Sequence, residues 1–312
     1  MDRAVKPVHN PGLKKKVFTH WQLLAMLVLP VAWYIIFCYV PMFGLQLAFK
    51  DWKAKLGIWG SPWATPILKQ FSRYFSSYYS WSTIWNTLAI NLGCLAIGFP
   101  APILLALMLN EINSLRLRKV LQNITYIPYF LSIVVIVSML KLFCDEKTGV
   151  INILLNALNI ESVPLMESEK YFRPLYVLSN VWQNMGWNAI IYIAALAGID
   201  PTLYEAATID GANRLQKVIH VSLPCILSTI VTMFILRIGQ LMTIGFEKAL
   251  LMQNDLNIGV SEIISTLVYK NGIKQGEYAY ATAVGLMNSL VNFVLIVIAN
   301  TVCRKLTDES LW

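Results

Sequence analysis

Charge is what this 312-residue sequence has least of: 13% of its residues are Asp, Glu, Lys or Arg, against 57% that are hydrophobic. A water-facing globule carries roughly twice that share of charge, so a soluble domain is excluded. Histidine is nearly absent, and His9, His20 and His220 lie far apart. The cysteines, Cys38, Cys94, Cys144, Cys225 and Cys303, are scattered with no CxxC spacing. That pattern supports neither a metal site nor a disulfide framework, and leaves the thiols as small apolar fillers. Carboxylates are missing from the cores of the apolar runs, so no catalytic constellation can be assembled and no enzyme is expected. No GxxxxGK[ST] phosphate loop occurs, which excludes ATP binding by this chain alone.

What is present is a recurrence of apolar runs long enough to cross a hydrocarbon core of roughly 30 Å as helices. Six spans are expected, at roughly 21–43, 83–109, 121–143, 175–197, 222–244 and 278–302. Lipid offers backbone groups no partner, so the fold class is all-α, a polytopic helical bundle. The first run follows basic residues but is too long for a secretory signal and has no small-residue cleavage site, so it is a retained helix. Arg3, Lys6, Lys14, Lys15 and Lys16 precede it, whereas Glu161, Glu167 and Glu169 crowd the loop before the fourth span. By the positive-inside rule both termini are cytoplasmic. The net charge of +8 reads as this orientation signal plus attraction to anionic lipid, with no aromatic-interleaved patch to suggest nucleic acid. The expected organisation is a basic cytoplasmic segment 1–20, a membrane domain 21–302 and a cytoplasmic tail 303–312. Loops at about 50–82, 144–174 and 245–277 fall outside, each too short for its own core. In the first, GIWGSPWATP has the turn residues and aromatics of an interfacial segment.

Between spans four and five lies a polar, glycine-broken insert, EAATIDGANRLQKVIHVSLP (Glu205–Pro224). Asp200-Pro201 supplies a cap and an N-terminal proline, Leu203, Ala206, Ala207 and Ile209 follow at helical spacing, and Gly211 permits a turn. A helix this short needs a surface to pack on, or else it is an interfacial loop without a partner. Glu205, Ala206 and Ala207, then Gly211, then Leu223 and Pro224 resemble the EAA-x3-G-x9-I-x-LP signature of ABC-importer permeases, with Val221 where isoleucine is usual. Tyr39–Trp52 (YVPMFGLQLAFKDW), Tyr126–Ile136 (YIPYFLSIVVI), Glu277–Leu286 (EYAYATAVGL) and the terminal DESLW are similar to the maltose-type branch serving complex oligosaccharides and uronic-acid-containing fragments. The resemblance implies a non-catalytic membrane subunit in a bacterial cytoplasmic membrane. It would work with a second permease chain, two cytoplasmic ATPases that hold ATP and Mg, and an extracytoplasmic solute-binding protein. Residues 201–217 would be the cytoplasmic coupling helix, with Glu205 meeting a basic group of the ATPase and Gly211 setting the bend. The alternative is an ion-coupled secondary carrier for a polar solute, which would call for acidic residues inside spans.

A substrate path is sought among polar groups within spans. Asn180, Gln183, Asn184, Trp187 and Asn188 share one helical stripe, with amides for sugar hydroxyls and an indole, Trp187 or nearby Trp182, for a pyranose face. Interhelical hydrogen bonds would explain the same amides, as they would Asn288, Ser289 and Asn292 in span six. Arg237, with Gln240 about one turn on, is either a structural arginine or a cavity group whose guanidinium fork suits a carboxylated sugar. Lys141 is a snorkelling anchor.

Overall fold

The computed structural model describes residues 21–243 and 245–307. The N-terminal segment 1–20 and the end of the expected tail, with its DESLW, therefore lie outside the described residues. Those described are helical almost throughout and contain no strand, only an isolated bridge between Lys50 and Trp63. Three helices are long and apolar enough to cross a membrane, Leu24–Phe49, Tyr79–Asn110 and Tyr278–Lys305, and the number reaches six if each of three bent pairs is one span.

The first helix begins with α1 (Trp21–Tyr34), which is exposed almost throughout, and only its far end, around Leu47 and Ala48, is buried. Next come α2 (Lys69–Phe75), then α3 (Tyr79–Gly98) and α4 (Pro100–Asn110), which join across Phe99 because proline is tolerated in a helix's first turn. The stretch expected as the third span is two helical pieces meeting at 99°, Leu115–Phe130 and Ile133–Phe143. Its first piece contains α5 (Leu115–Tyr126), amphipathic and basic through Arg116, Arg118 and Lys119. Pro128 sits in a tight 3-10 turn, Leu131 and Ser132 are extended, and the Ser132 hydroxyl accepts the Val135 amide at 3.3 Å to start α6 (Ile133–Phe143). A new N-cap inside an apolar run, not a change of hydropathy, makes the corner.

After α7 (Val150–Ala157), the 29-residue α8 (Glu169–Ala197) is the axis of the fold. It supplies Phe172, Tyr176 and Val177 to one core, where they meet Ile90 and Cys94 of α3 and Val137 of α6. Further along, its Ala189, Tyr192 and Leu196 pack with Ala106 and Leu107 of α4 and with Ile226. In a bilayer such contacts hold by close packing, so small residues belong where helices cross. A Cβ at Gly93 would come within 2.9 Å of Val177, and one at Gly186 would run into the Thr125 carbonyl. Because a backbone atom cannot swing aside as a side chain can, Gly186→Ala is expected to remove most of the monodisperse protein in fluorescence-detected size exclusion. Gly98→Ala, whose Cβ would lie at an ordinary 3.4 Å from Val181, is expected to leave it.

The elements that follow α8 are α9 (Pro201–Ile209), α10 (Arg214–Lys217), α11 (Leu227–Ile238), α12 (Phe246–Met252), α13 (Ile264–Tyr269) and α14 (Tyr278–Thr307). The loops expected to lie on one side fold into a connected cap. Arg73 pairs with Glu277 at 2.8 Å, Asn254 and Asn257 donate to the Met166 carbonyl, and Asn86 donates to the carbonyls of Gly259 and Glu262. Lys50 is buried and donates to the Ile58 carbonyl at 2.7 Å, pinning the aromatic segment after the first span. At 1.5 Å per residue α8 separates this cap from α9 by about 40 Å.

Candidate functional site

Two features stand out, a cavity in the bundle and an elbow at the far end of α8. The cavity has a volume of about 820 Å³. From α8 it receives Asn180, Asn184, Trp187 and Asn188, and from α11 and the turn after it Arg237 and Gln240. Its opposite wall is Asn91, Cys94, Phe99 and Pro102 of α3, α4 and their junction. Asn184 donates to the Asn180 carbonyl at 2.8 Å, which leaves its own carbonyl oxygen available. None of the three ion pairs among the described residues involves Arg237. The wall is thus a set of amides, aromatics and one guanidinium with no carboxylate beside it, able to bond hydroxyls and to attract an anionic group.

Not every expected residue is there. Gln183 belongs to the buried stripe Ser179, Gln183 and Gly186, the face whose glycine packs on Thr125, and it does not line the cavity. Asn292 accepts the Met242 amide at 2.8 Å and donates to the Thr243 hydroxyl at 2.9 Å, so it fastens the turn after α11 to α14. Asn288 and Ser289 line a second, more apolar hollow of about 670 Å³ beside α13. Trp182 is outside the cavity, and Trp187 is stacked on Tyr129, centroids 4.4 Å apart and planes 2° from parallel. Phe130 adds an edge contact, so one indole face is already covered and the aromatic wall is a Tyr129–Trp187 slab. Tyr129 and Asn91 are cavity residues that periodicity did not single out; a polar amide inside an apolar span was the available signal for Asn91.

The elbow is built by local rules. The Asp200 carboxylate accepts the Thr202 amide at 3.0 Å and caps α9. The same bond holds its carboxyl below the usual carboxylate range. At the other end the Ala212 amide reaches the Ala207 carbonyl at 2.9 Å, and the Gly211 amide reaches the Thr208 carbonyl at 3.1 Å. This is the Schellman arrangement, with Gly211 at φ +78° in the left-handed region. Asn213 and Gln216 form a capping box that starts α10, and Lys217 donates to the Thr208 hydroxyl at 2.8 Å, tying the two helices. Tyr204 and Ser222 bond at 2.9 Å and connect α9 to the turn that carries Leu223 and Pro224 into the next span. Nothing in α9 is buried. Glu205 and Ala206 are exposed, Ala207 half-buried, and Ile209 is 86% exposed. The elbow is therefore internally fixed and externally bare.

Residues 98–308 match the family described as binding-protein-dependent transport system inner membrane component. The polygalacturonan/rhamnogalacturonan transport system permease protein YteP of Bacillus subtilis (strain 168) is 41% identical, over 93% of this chain and 90% of its own. Protein LplB of the same organism is 40% identical over 93% and 91%. Among solved structures, a chain of a bacterial ABC transporter importing the acidic polysaccharide alginate superposes with a TM-score of 0.86 at 37% identity, covering 95% of this chain and 99% of that one. A second, from the alginate transporter in complex with an alginate pentasaccharide-bound periplasmic protein, gives 0.87 at 36% identity, over 96% and 99%.

Proposed function

The chain belongs to the family of binding-protein-dependent transport system inner membrane components, and on that premise we propose that it is the permease subunit of an ABC importer passing a uronic-acid-containing oligosaccharide or polysaccharide fragment. The observation that carries the substrate reading is the cavity wall, where Asn180, Asn184 and Asn188 face the same space as Arg237. Neutral sugars need only the amides. A guanidinium without a carboxylate partner suits a sugar that brings one. The relatives' printed substrates, polygalacturonan/rhamnogalacturonan and alginate, support the same class.

In this reading the chain has no catalytic role. A second permease, a different chain, completes the path. Two cytoplasmic ATPases holding ATP and Mg drive it, and an extracytoplasmic binding protein delivers the saccharide, as the complex with a periplasmic protein in one structural relative supports. Both termini and the elbow are cytoplasmic, and the cap of ordered loops faces the binding protein. The coupling role belongs to residues 201–217: Glu205 and Ala206 meet the ATPase, Ala207 and Gly211 shape the elbow, and Leu223 and Pro224 pass its movement into the next span. The bundle then alternates between inward- and outward-facing forms. The ion-coupled carrier reading is set aside on the family membership.

The test is uptake into proteoliposomes holding the whole complex, with binding protein outside and ATP inside, across acidic and neutral oligosaccharides. Uptake of an acidic member that stops without ATP is expected. Asn184→Leu, which replaces a cavity amide with an apolar side chain of similar size, is expected to cut uptake of every transported saccharide at least several-fold. Unchanged uptake would remove the cavity from the path.

A further inference from the structure

Lys248, on α12, has no assigned part in the cavity or the elbow. Its side chain is 2% exposed, and its ammonium is buried without a hydrogen-bond partner. The three ion pairs among the described residues join Lys69 to Asp51, Arg73 to Glu277 and Lys270 to Glu262, so no carboxylate neutralises it. Its surroundings are specific. The nitrogen lies 5.4 Å from the centre of the Tyr176 ring. Tyr176 in turn donates to the carbonyl of Gly245, a cavity-lining residue three positions before Lys248. Cys94, another cavity-lining residue, packs in the same buried core as Tyr176 and Ala249, the neighbour of Lys248. Lys248 thus stands one side chain behind the cavity wall, at the end where α3, α8 and α12 meet.

A buried ammonium facing only a tyrosine ring is a cost to the fold, because the ring recovers part of what hydration supplied in water and no counter-ion recovers the rest. Met or Leu would fill the same space without that cost. Such a group is explained if its counter-ion arrives during the working cycle. Arg237 already stands unpaired in the same cavity, so an anion entering there meets two cations in succession.

We propose that Lys248 is a specificity-determining residue of the translocation path, taking a carboxylate of the acidic saccharide as its counter-ion when α12 shifts away from Tyr176 during transport. The inference rests on the saccharide-cavity reading above and adds a second cationic contact to it. It requires the carboxylate itself, not the hydroxyls.

The experiment compares the intact reconstituted complex bearing Lys248→Met with the wild type, using a uronate oligosaccharide and its carboxyl-reduced neutral counterpart, each at a concentration saturating the binding protein. Expected is a tenfold or larger loss of acidic uptake, neutral uptake within twofold of wild type, and a melting temperature of the complex equal to or above wild type, since the buried charge is gone. Lys248→Gln, which keeps a polar end without the charge, carries the same comparison if the Met variant does not assemble. Unchanged acidic uptake would overturn the proposal, as would equal loss of both saccharides, which would mark Lys248 as structural. Asn184→Leu run alongside separates the two levels of the account. If it lowers both uptakes while Lys248→Met changes neither, the Lys248 proposal alone fails; if neither variant changes anything, the cavity reading fails with it.

Discussion

Glu205→Lys and Gly211→Pro are each expected to lower ATP-driven uptake at least about tenfold, equivalent to at least about 1.4 kcal/mol of coupling, while the complex still inserts and folds. The two act differently. Gly211 sits at φ +78°, whereas proline fixes φ near −65° and removes the amide that reaches the Thr208 carbonyl. The Schellman turn is then lost and α10 takes a new direction relative to α9. A Cβ at this position meets no atom within 4 Å, so the demand is purely conformational. Glu205→Lys leaves the elbow's backbone intact and reverses the charge on its exposed face. Glu205→Lys should not reach the bundle, because α9 contributes no buried residue; for Gly211→Pro the anchors on either side of the elbow, Ile199 and Val218, remain packed on the core that holds the end of α8. Size exclusion of the membrane subunits should therefore be normal. Binding-protein-stimulated ATPase activity should fall with transport in both variants, and normal uptake by either one would count against the coupling role.

Arg237→Gln carries the second large effect. The guanidinium lines the cavity, and a charge held at membrane depth costs about 3 kcal/mol on insertion scales when the protein gives it no partner. An acidic sugar supplies that partner, so its uptake should fall by roughly tenfold or more, since hydrogen bonds to charged groups contribute about 1.5–3 kcal/mol. A neutral oligosaccharide should pass at near wild-type rate. Glutamine retains hydrogen bonding, so the difference reports charge. Loss of both substrates in equal measure would show that Arg237 holds the bundle together.

These residues differ in how far the sequence alone revealed them. The elbow was legible because its rules are local: Asp200 before Pro201, Gly211 at the turn, and Leu223-Pro224 at the entry to a span are all read within one or two helical turns. The apolar runs were legible for the same reason. The corner at Leu131 and Ser132 was not, since a hydropathy window sees one continuous run and cannot weigh a serine cap against it. Gln183 shared a broad stripe with Asn180 and Asn184, and only the contact of Gly186 with Thr125 decides which edge of that stripe is packed and which is open. Asn292 fits a path residue by sequence, and only its bonds to Met242 and Thr243 show that it holds the turn after α11. Tyr129 and Lys248 lie far in sequence from the groups they meet, and nothing near either residue announces Trp187 or Tyr176 as its neighbour.

The central claim, that the elbow couples a separate ATPase to a saccharide-conducting bundle, is tested most directly by crosslinking. With Cys225 replaced, Glu205→Cys or Ala206→Cys in the assembled transporter should form a crosslink to the ATPase subunit from the cytoplasmic side, and the crosslink should stop uptake until it is cleaved. A cysteine at either position that is labelled only from the side where the binding protein docks, or that crosslinks to the ATPase without any effect on uptake, would contradict the account.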